Sequence, residues 1–437
     1  MAAPPSDPAG SSLGRVVEIV PRGPLGGRLD APPSKSVTNR LLVVAALAEG
    51  TSTLTRPLES DDTEAMVEGL RSFGVTIAAA SPVVAVEGSG GRLRTPVGPL
   101  DARQSGTTLR FLAPLTLVAG GTTTLDGSPS LRRRPIGGLA EALAELGAEV
   151  ATSGGFPPMT VRATGFPGGA VRVDAGASSQ FVSALLMAAP YADSDLEIEV
   201  AGLGAGGYVE LTLDVMRRFG AAVRGDGDRF VVSCRDRYEA RDEVVEYDAS
   251  AAAHLLALAV ATAGEVTVTN ARGASLQPDA GVVEVLAAMG AEVDRGEHEV
   301  RVRGPQAVLP VEADLSGMPD QLPTLATLAA LSEGTSCLSG LAVTRGHETD
   351  RLAAVAEELR KLGADVRAGA DWLEVRGGPL HGGDVETYED HRMAMAFTAL
   401  GARVPGIRVL SPGCVAKTYP RFFDDAARLG LGLRLGS

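Results

Sequence analysis

The chain has 437 residues, 45% of them hydrophobic and 22% charged, enough for a large core and, at roughly 150 residues per domain, for two or three domains. Its 54 acidic and 40 basic residues leave a net charge of −14, which argues against nucleic acid or an anionic membrane as the main partner, so any anionic ligand has to be met locally. Cys234, Cys337 and Cys414 stand far apart with no CxxC pair; neither a disulfide framework nor a zinc knuckle is expected, and the usage suits a reducing, cytoplasmic location.

The first 15 residues, "MAAPPSDPAGSSLGR", are rich in Pro, Ser and Gly and lack an apolar core segment, so they read as a flexible tail rather than a signal peptide. No run approaches the ~18 apolar residues of a membrane span. A strand, "GRVVEIVPRG", follows and is placed to pair with the last unit of the chain, which would make the chain cross between domains twice.

From there one unit recurs about every 70 residues: "LRSFGVTI" at Leu70, "LAELGAEV" at Leu143, "MRRFGAAV" at Met216, "LAAMGAEV" at Leu286, "LRKLGADV" at Leu359 and a degenerate "AARLGLGL" at Ala426. Each copy predicts the last turn of a helix, a glycine in the left-handed C′ position, then a strand. A second pattern alternates with it, from "LLVVAALAEGTSTLT" to "MAFTALGARVPGIRVLS": an apolar helix leading to a Thr/Val-rich strand. Helices apolar almost all round belong inside a domain with strands outside them, the inverse of a barrel with a strand core. Six units then suggest two domains of three, residues 34–247 and residues 16–33 plus 248–437, with the fourth helix starting after Asp248 and Ser250. A passive repeat scaffold remains an alternative at this point.

The informative residues gather where the apolar helices begin, because unpaired N–H groups and the positive end of the helix dipole favour anions there. "PPSKSVTNRLL" brings Lys35, Ser36 and Arg40 to the first helix. "RQSGTTLR" brings Gln104, Gly106, Thr107 and Arg110 to the second, and "GASSQF" brings Ser178, Ser179 and Gln180 to the third. Ser and Thr at such places are also ordinary caps, and Lys35 with Arg40 also fits a solvated face. Of Arg132, Arg133 and Arg134, only one is expected to point inward. In the second half, Asp320 precedes the fifth helix, "TRGHETDRL" strings together Arg345, His347, Glu348, Asp350 and Arg351, "YEDHRMAMAF" places Asp390, His391 and Arg392 at the sixth, and "VAKTYP" adds Lys417. Asp390 reads as a cap, and Glu348 with Arg351 also reads as a simple i,i+3 pair. The five histidines show no HxxxH or HExxH spacing, so no metal is expected.

In order along the chain, "PSKSVTNR", "QSGTTLR", "RRRPIG", "SSQF", "MPDQLPTLA", "GHETDRL", "DHRMAMAF" and "CVAKTYP" resemble the motifs of the 5-enolpyruvylshikimate-3-phosphate synthase family, enolpyruvyl transferases of the shikimate pathway. The resemblance implies two domains, each of three βαβαββ units in an inside-out α/β barrel, closing over a cleft, with phosphoenolpyruvate and shikimate 3-phosphate as substrates and no cofactor. It assigns Lys35, Gly106, Arg134, Arg351, Arg392 and Lys417 to phosphoenolpyruvate. To shikimate 3-phosphate it assigns Lys35, Ser36, Arg40, Ser178, Ser179, Gln180, Tyr208, Asp320 and His347. Gln104, Thr107 and Arg110 are implied to shape the floor beside Gly106, which leaves room for glyphosate.

Acid–base work is implied for Glu348 as donor to the methylene carbon, assisted by Lys35, and for Asp320 as acceptor of the hydroxyl proton; neighbouring anionic substrate would keep Glu348 partly protonated. The sequence departs from the pattern at His347, where Lys is common, at Val343, where Asn is common, and at Ala205, where Ser often touches phosphate. A His offers full charge only when protonated, so shikimate 3-phosphate affinity is expected to weaken above neutral pH. The related UDP-N-acetylglucosamine enolpyruvyl transferases usually carry a reactive Cys in the first half, and Asp101 to Leu131 contains none. A monomer is expected, with domain closure inside one chain.

Overall fold

The computed structural model describes residues 14–204, 206–271 and 275–436. The expected tail therefore falls almost wholly outside the described residues, as does Ala205. The chain divides into two compact units. One, the first-half unit, comprises Pro33–Glu246 with Leu276–Pro278; the other, the second-half unit, comprises the chain up to Pro32, Tyr247–Ser275 and Asp279 onward. The excursion of Leu276–Pro278 was not foreseen. It is tied down by a hydrogen bond from the Ser34 hydroxyl to the Gln277 side-chain carbonyl, 2.9 Å, which spans more than two hundred residues of sequence.

Among the described residues the strands form six four-stranded sheets, three in each unit. All six share one pattern: a parallel edge pair, then two antiparallel pairings. Four of the parallel pairs are βαβ crossovers, such as Gly169–Asp174 and Leu196–Ala201 around the helix Gln180–Ala188. The other two mark where the chain passes from unit to unit. Strand Gly26–Leu29 pairs in parallel with Glu265–Val268 in the second-half unit, and Glu243–Val244 pairs with the end of Glu49–Thr55 in the first-half unit. Strand Val16–Val20 lies between Ile407–Leu410 and Gly432–Gly436, antiparallel to both.

The apolar helices are buried over nearly their full length. All 14 residues of Ala249–Thr262 and all 11 of His391–Gly401 are buried, as are the last 11 of Lys35–Leu47. Each unit has its own hydrophobic core built around these helices. The intervening helices, such as Asp61–Ser72 and Arg351–Lys361, bury one face only. Every repeat glycine that follows such a helix, Gly74, Gly147, Gly220, Gly290, Gly363 and Gly430, has φ between +88° and +103°. There a side chain would press its Cβ against the backbone, so glycine ends the helix without strain and turns the chain into a strand.

A second set of glycines lets strand and helix approach. Gly88, Gly304 and Gly377 occupy matching places in three of the repeats, and a Cβ on any of them would collide with a backbone carbonyl near or just beyond the end of a buried helix: Ala48, Ala259 and Ser332 respectively. Backbone cannot swing aside as a side chain can, so Gly88→Ala is expected to destabilise the protein by about 1–3 kcal/mol, read as a lowered urea midpoint with unchanged m-value; an unchanged midpoint would contradict this packing.

Candidate active site

Each unit brings its polar residues to the starts of its buried helices. In the first-half unit, Ser34 caps the helix Lys35–Leu47, its hydroxyl accepting from the Val37 amide. Lys35 in the first turn reaches the carboxylate of Asp62 at 3.2 Å. Arg40, one and a half turns on, is 2% exposed. Its guanidinium donates to the Thr212 hydroxyl at 2.8 Å, the Ser36 carbonyl at 2.9 Å and the Tyr208 carbonyl at 3.0 Å, and lies over the rings of Phe111 and Tyr208. Among the described residues it meets no carboxylate. Burial pushes Arg40 down to about 10, only partly opposed by the Tyr208 phenol. A buried cation with neutral partners only is costly, and an anionic ligand would offset that cost.

Arg110 stands on the helix Gly106–Leu112 and donates to Gln180 Oε1 at 2.8 Å, to the Ser178 hydroxyl at 3.2 Å and to the Pro135 carbonyl at 3.1 Å. The Gln180 amide nitrogen in turn donates to the Thr107 hydroxyl at 3.3 Å. These contacts join the starts of the second and third buried helices into one floor. Ser179 is the residue before Gln180–Ala188 but makes no side-chain cap bond; the Ser178 hydroxyl accepts from the Gln180 amide instead. Gln104 is exposed. Of the arginine triplet, Arg132 pairs with Asp126 at the surface and Arg133 is exposed, while Arg134 is 7% exposed. A Cβ on Gly106 would sit 3.1 Å from Arg134 Nη1 and 3.5 Å from Arg110 Nη1, so the glycine keeps the approach to both cations open.

In the second-half unit the residues converge on Arg351, which is 1% exposed at the start of the helix Arg351–Lys361. Its Nε donates to Asp390 Oδ2 at 2.7 Å, its Nη1 to Asp320 Oδ1 at 2.5 Å and its Nη2 to Glu348 Oε2 at 2.5 Å. Asp320 also accepts from Arg392 Nη2 at 2.8 Å, and Glu348 from Lys417 Nζ at 2.7 Å. His347 Nδ1 lies 2.8 Å from Arg351 Nη1 and 3.3 Å from Asp320. Three cations, Arg351, Arg392 and Lys417, thus share three carboxylates. Asp390 does cap its helix, accepting from the Arg392 amide, and in addition pairs with Arg351. Arg345 and Asp350 pair with each other at half-exposed positions. Val343 is half-buried on the short turn Ala342–Gly346 that leads to His347.

Burial alone would lower Arg351 and raise Asp320, yet both move the other way. Asp390, Glu348 and Asp320 raise Arg351; Arg392, Arg351 and His347 hold Asp320 well below the usual carboxylate range. Attraction within the cluster therefore outweighs desolvation for these two groups. Among the described residues no group of three or more His, Cys, Asp or Glu could hold a metal ion.

Sequence reasoning missed Asp62. In "ESDDTEA" it reads as one more acid in the first turn of a helix, and only its 2% exposure and its contact with Lys35 distinguish it. It also missed His254, which is fully buried in the helix Ala249–Thr262, with Nδ1 3.0 Å from the Thr324 hydroxyl and its ring edge-on to Phe422.

A profile of the EPSP synthase family (3-phosphoshikimate 1-carboxyvinyltransferase) matches residues 19–426. The chain belongs to this family. It is 39% identical over 423 residues to the 3-phosphoshikimate 1-carboxyvinyltransferase of Shewanella amazonensis, covering 94% of this chain and 98% of that protein. It is likewise 39% identical to the protein of the same name from Methanoculleus marisnigri, over 96% of this chain and all of the relative. The structure of EPSP synthase from Acinetobacter baumannii superposes with a TM-score of 0.81 at 26% identity, covering 97% of this chain and 100% of that one. The enolpyruvyl transferase NikO from Streptomyces tendae shares the fold, with a TM-score of 0.74 at 19% identity.

Burial, then the charges of Arg392 and Arg351, hold His254 well below the ordinary imidazole value. The unfolded chain takes up a proton there near pH 6.5 while the folded chain does not, so stability present above that pH is lost as pH falls below it, by at most about 1.4 kcal/mol per pH unit. Denaturant unfolding at pH 7.5 and 5.5 is expected to show a smaller loss for His254→Phe than for the wild type; parallel losses would contradict it.

Proposed function

We propose that this chain transfers the enolpyruvyl group of phosphoenolpyruvate to the 5-hydroxyl of shikimate 3-phosphate and releases phosphate. Family membership over nearly the whole chain supports the reaction class. The single observation that carries the mechanism is the contact chain Lys417–Glu348–Arg351, a carboxyl group set between two buried cations.

In this reading Arg40, with Ser36, Ser178, Ser179, Gln180 and Tyr208, holds shikimate 3-phosphate and gains the negative partner it otherwise lacks. Lys35, Asp320 and His347 act on the same substrate. Lys35, Gly106, Arg134, Arg351, Arg392 and Lys417 serve phosphoenolpyruvate. Planar guanidinium groups match carboxylate and phosphate oxygens in pairs, which suits two substrates that would otherwise repel each other.

The chemistry follows from exchange of partners. Arg351 and Lys417 favour the ionised form of Glu348 while they touch it. When substrate oxygens draw those cations away, Glu348 is left beside anions, holds a proton and delivers it to the methylene carbon of phosphoenolpyruvate. Lys35 assists. The cationic carbon so formed accepts the 5-hydroxyl oxygen, whose proton passes to Asp320. Asp320 is suited to accept only once the pull of Arg351 and Arg392 is shared with substrate, because the cluster otherwise holds it strongly ionised. Glu348, ionised by the first step, then takes a methyl proton as phosphate leaves, which restores the double bond and its own protonated form, and the proton on Asp320 departs with the phosphate.

The proposal extends to the architecture: each unit is an inside-out α/β barrel of three βαβαββ repeats, which the buried helices and the six like-patterned sheets support. The reading also takes the protein to be cytoplasmic and monomeric; its three free cysteines suit a reducing compartment, and among the described residues no helix is long and apolar enough to cross a membrane. The absence of Cys from Asp101 to Leu131 favours the shikimate acceptor over a nucleotide sugar.

Phosphate release, measured with phosphoenolpyruvate and each acceptor in turn, is expected only with shikimate 3-phosphate. Glu348→Gln is expected to lower kcat by about 10²–10⁴. Near-normal turnover in that variant would overturn the donor assignment, and release with UDP-N-acetylglucosamine instead would overturn the substrate.

A further inference from the structure

The turn that delivers Asp390 and Arg392 is held in an unusual way. Tyr388 and Glu389, the two residues before Asp390, have φ of 53° and 57°. Neither is a glycine, and two consecutive side-chain-bearing residues in the left-handed region persist only where their surroundings hold them. The holding group is Glu358, which is fully buried. Its Oε1 accepts from the Tyr388 hydroxyl at 2.7 Å and from Lys361 Nζ at 2.7 Å, and its Oε2 accepts from the Glu386 amide at 3.2 Å. A buried carboxylate is tolerable only when so satisfied.

Glu358 lies seven residues after Arg351 on the helix Arg351–Lys361, two turns along and therefore on the same face. That face grips the segment 386–390 at both ends. Glu358 takes the Glu386 amide and the Tyr388 hydroxyl, and Arg351 takes the Asp390 carboxylate. Asp390 in turn accepts from the Arg392 amide and so fixes the first turn of the helix that carries Arg392. Burial, followed by the hydrogen bond to Glu358, pushes the Tyr388 phenol above its ordinary range, so it remains a donor throughout the physiological range.

We propose that Glu358 and Tyr388 are positioning residues for phosphoenolpyruvate: they clamp the left-handed turn at Tyr388–Glu389 and thereby set Asp390 and Arg392 against Arg351. The inference rests on the assignment of Arg351 and Arg392 to phosphoenolpyruvate made above. Neither residue touches substrate. Both act through the backbone of 386–390, which is why loss of the phenol oxygen alone is expected to be felt at the site.

The test uses the full chain with Tyr388→Phe, Glu358→Gln and the double variant, each of which keeps the volume of the side chain it replaces. Each single change is expected to raise KM for phosphoenolpyruvate about tenfold, a loss of about 1.4 kcal/mol of binding as the turn that sets Arg392 loosens. KM for shikimate 3-phosphate and kcat are expected to stay within about twofold. The double variant is expected to cost less than the two single changes combined, because both weaken the Tyr388–Glu358 contact: a neutral amide oxygen accepts less strongly than a carboxylate, and a phenyl ring does not donate at all. Equal rises in both KM values, or a lowered Tm with both KM values unchanged, would show a merely structural role and overturn the proposal. Additive effects of the two changes would overturn it as well. A wild-type protein that does not turn over the two substrates would defeat the reading of the reaction instead. Hydrogen exchange across residues 386–392 then decides the clamp alone: faster exchange confined to that stretch in Tyr388→Phe supports it, and unchanged protection overturns it.

Discussion

The arrangement of the second-half unit depends on one guanidinium that is almost entirely out of water and holds three carboxylates at once. Removing one partner of a buried pair costs about 3–5 kcal/mol, so Arg351 with Asp320, Glu348 and Asp390 cannot be assembled piecemeal. The three acids arrive from separate parts of the chain, ahead of the helices Leu322–Ala329, Arg351–Lys361 and His391–Gly401. Of the three, Asp390 also caps its helix, whereas Arg351–Lys361 is capped by Asp350. The same contacts leave Arg392 and Lys417 attached to acids that are themselves shared, so in the proposed reading substrate oxygens enter the cluster by exchange of partners.

The first-half unit solves a related problem differently. Arg40 is just as deeply buried, yet its partners are hydroxyls, carbonyls and aromatic faces. Cations in one unit are balanced by acids, while the deepest cation in the other is left to be balanced by ligand. Repetition accounts for the scaffold on which both are built: six sheets of one pattern accompany buried helices whose starts carry different residues.

Much of this was legible in the sequence. The repeat glycines could be read as left-handed helix ends because no other residue adopts that conformation cheaply, and all six have positive φ. The apolar helices could be read from periodicity, since a helix without a polar face has nowhere to go but inside. Lys35, Arg40 and Arg392 stood out because they stand where apolar helices begin and anions are favoured, although Lys35 with Arg40 also fits a solvated face and Arg351 with Glu348 a simple i,i+3 pair. What could not be read was pairing. Asp62 and Glu358 look like any acids on half-exposed helices until the fold buries them at 2% and 0% exposure. Tyr388 and Glu389 carry no sign of left-handed backbone, because that conformation is imposed by contacts with a helix about thirty residues earlier. Gln277 reaches Ser34 only through a connection that composition does not reveal.

The account stands or falls on whether substrate anions take over the arginines now held by carboxylates and hydroxyls. A crystal structure with shikimate 3-phosphate and a non-reactive phosphoenolpyruvate analogue bound tests this most directly. The expected result is analogue oxygens at about 2.7–2.9 Å from Arg351, Arg392 and Lys417, with shikimate 3-phosphate oxygens on Arg40. Ligands bound elsewhere, with the Arg351–Asp320 and Lys417–Glu348 contacts intact and Arg40 still without an anionic partner, would contradict it.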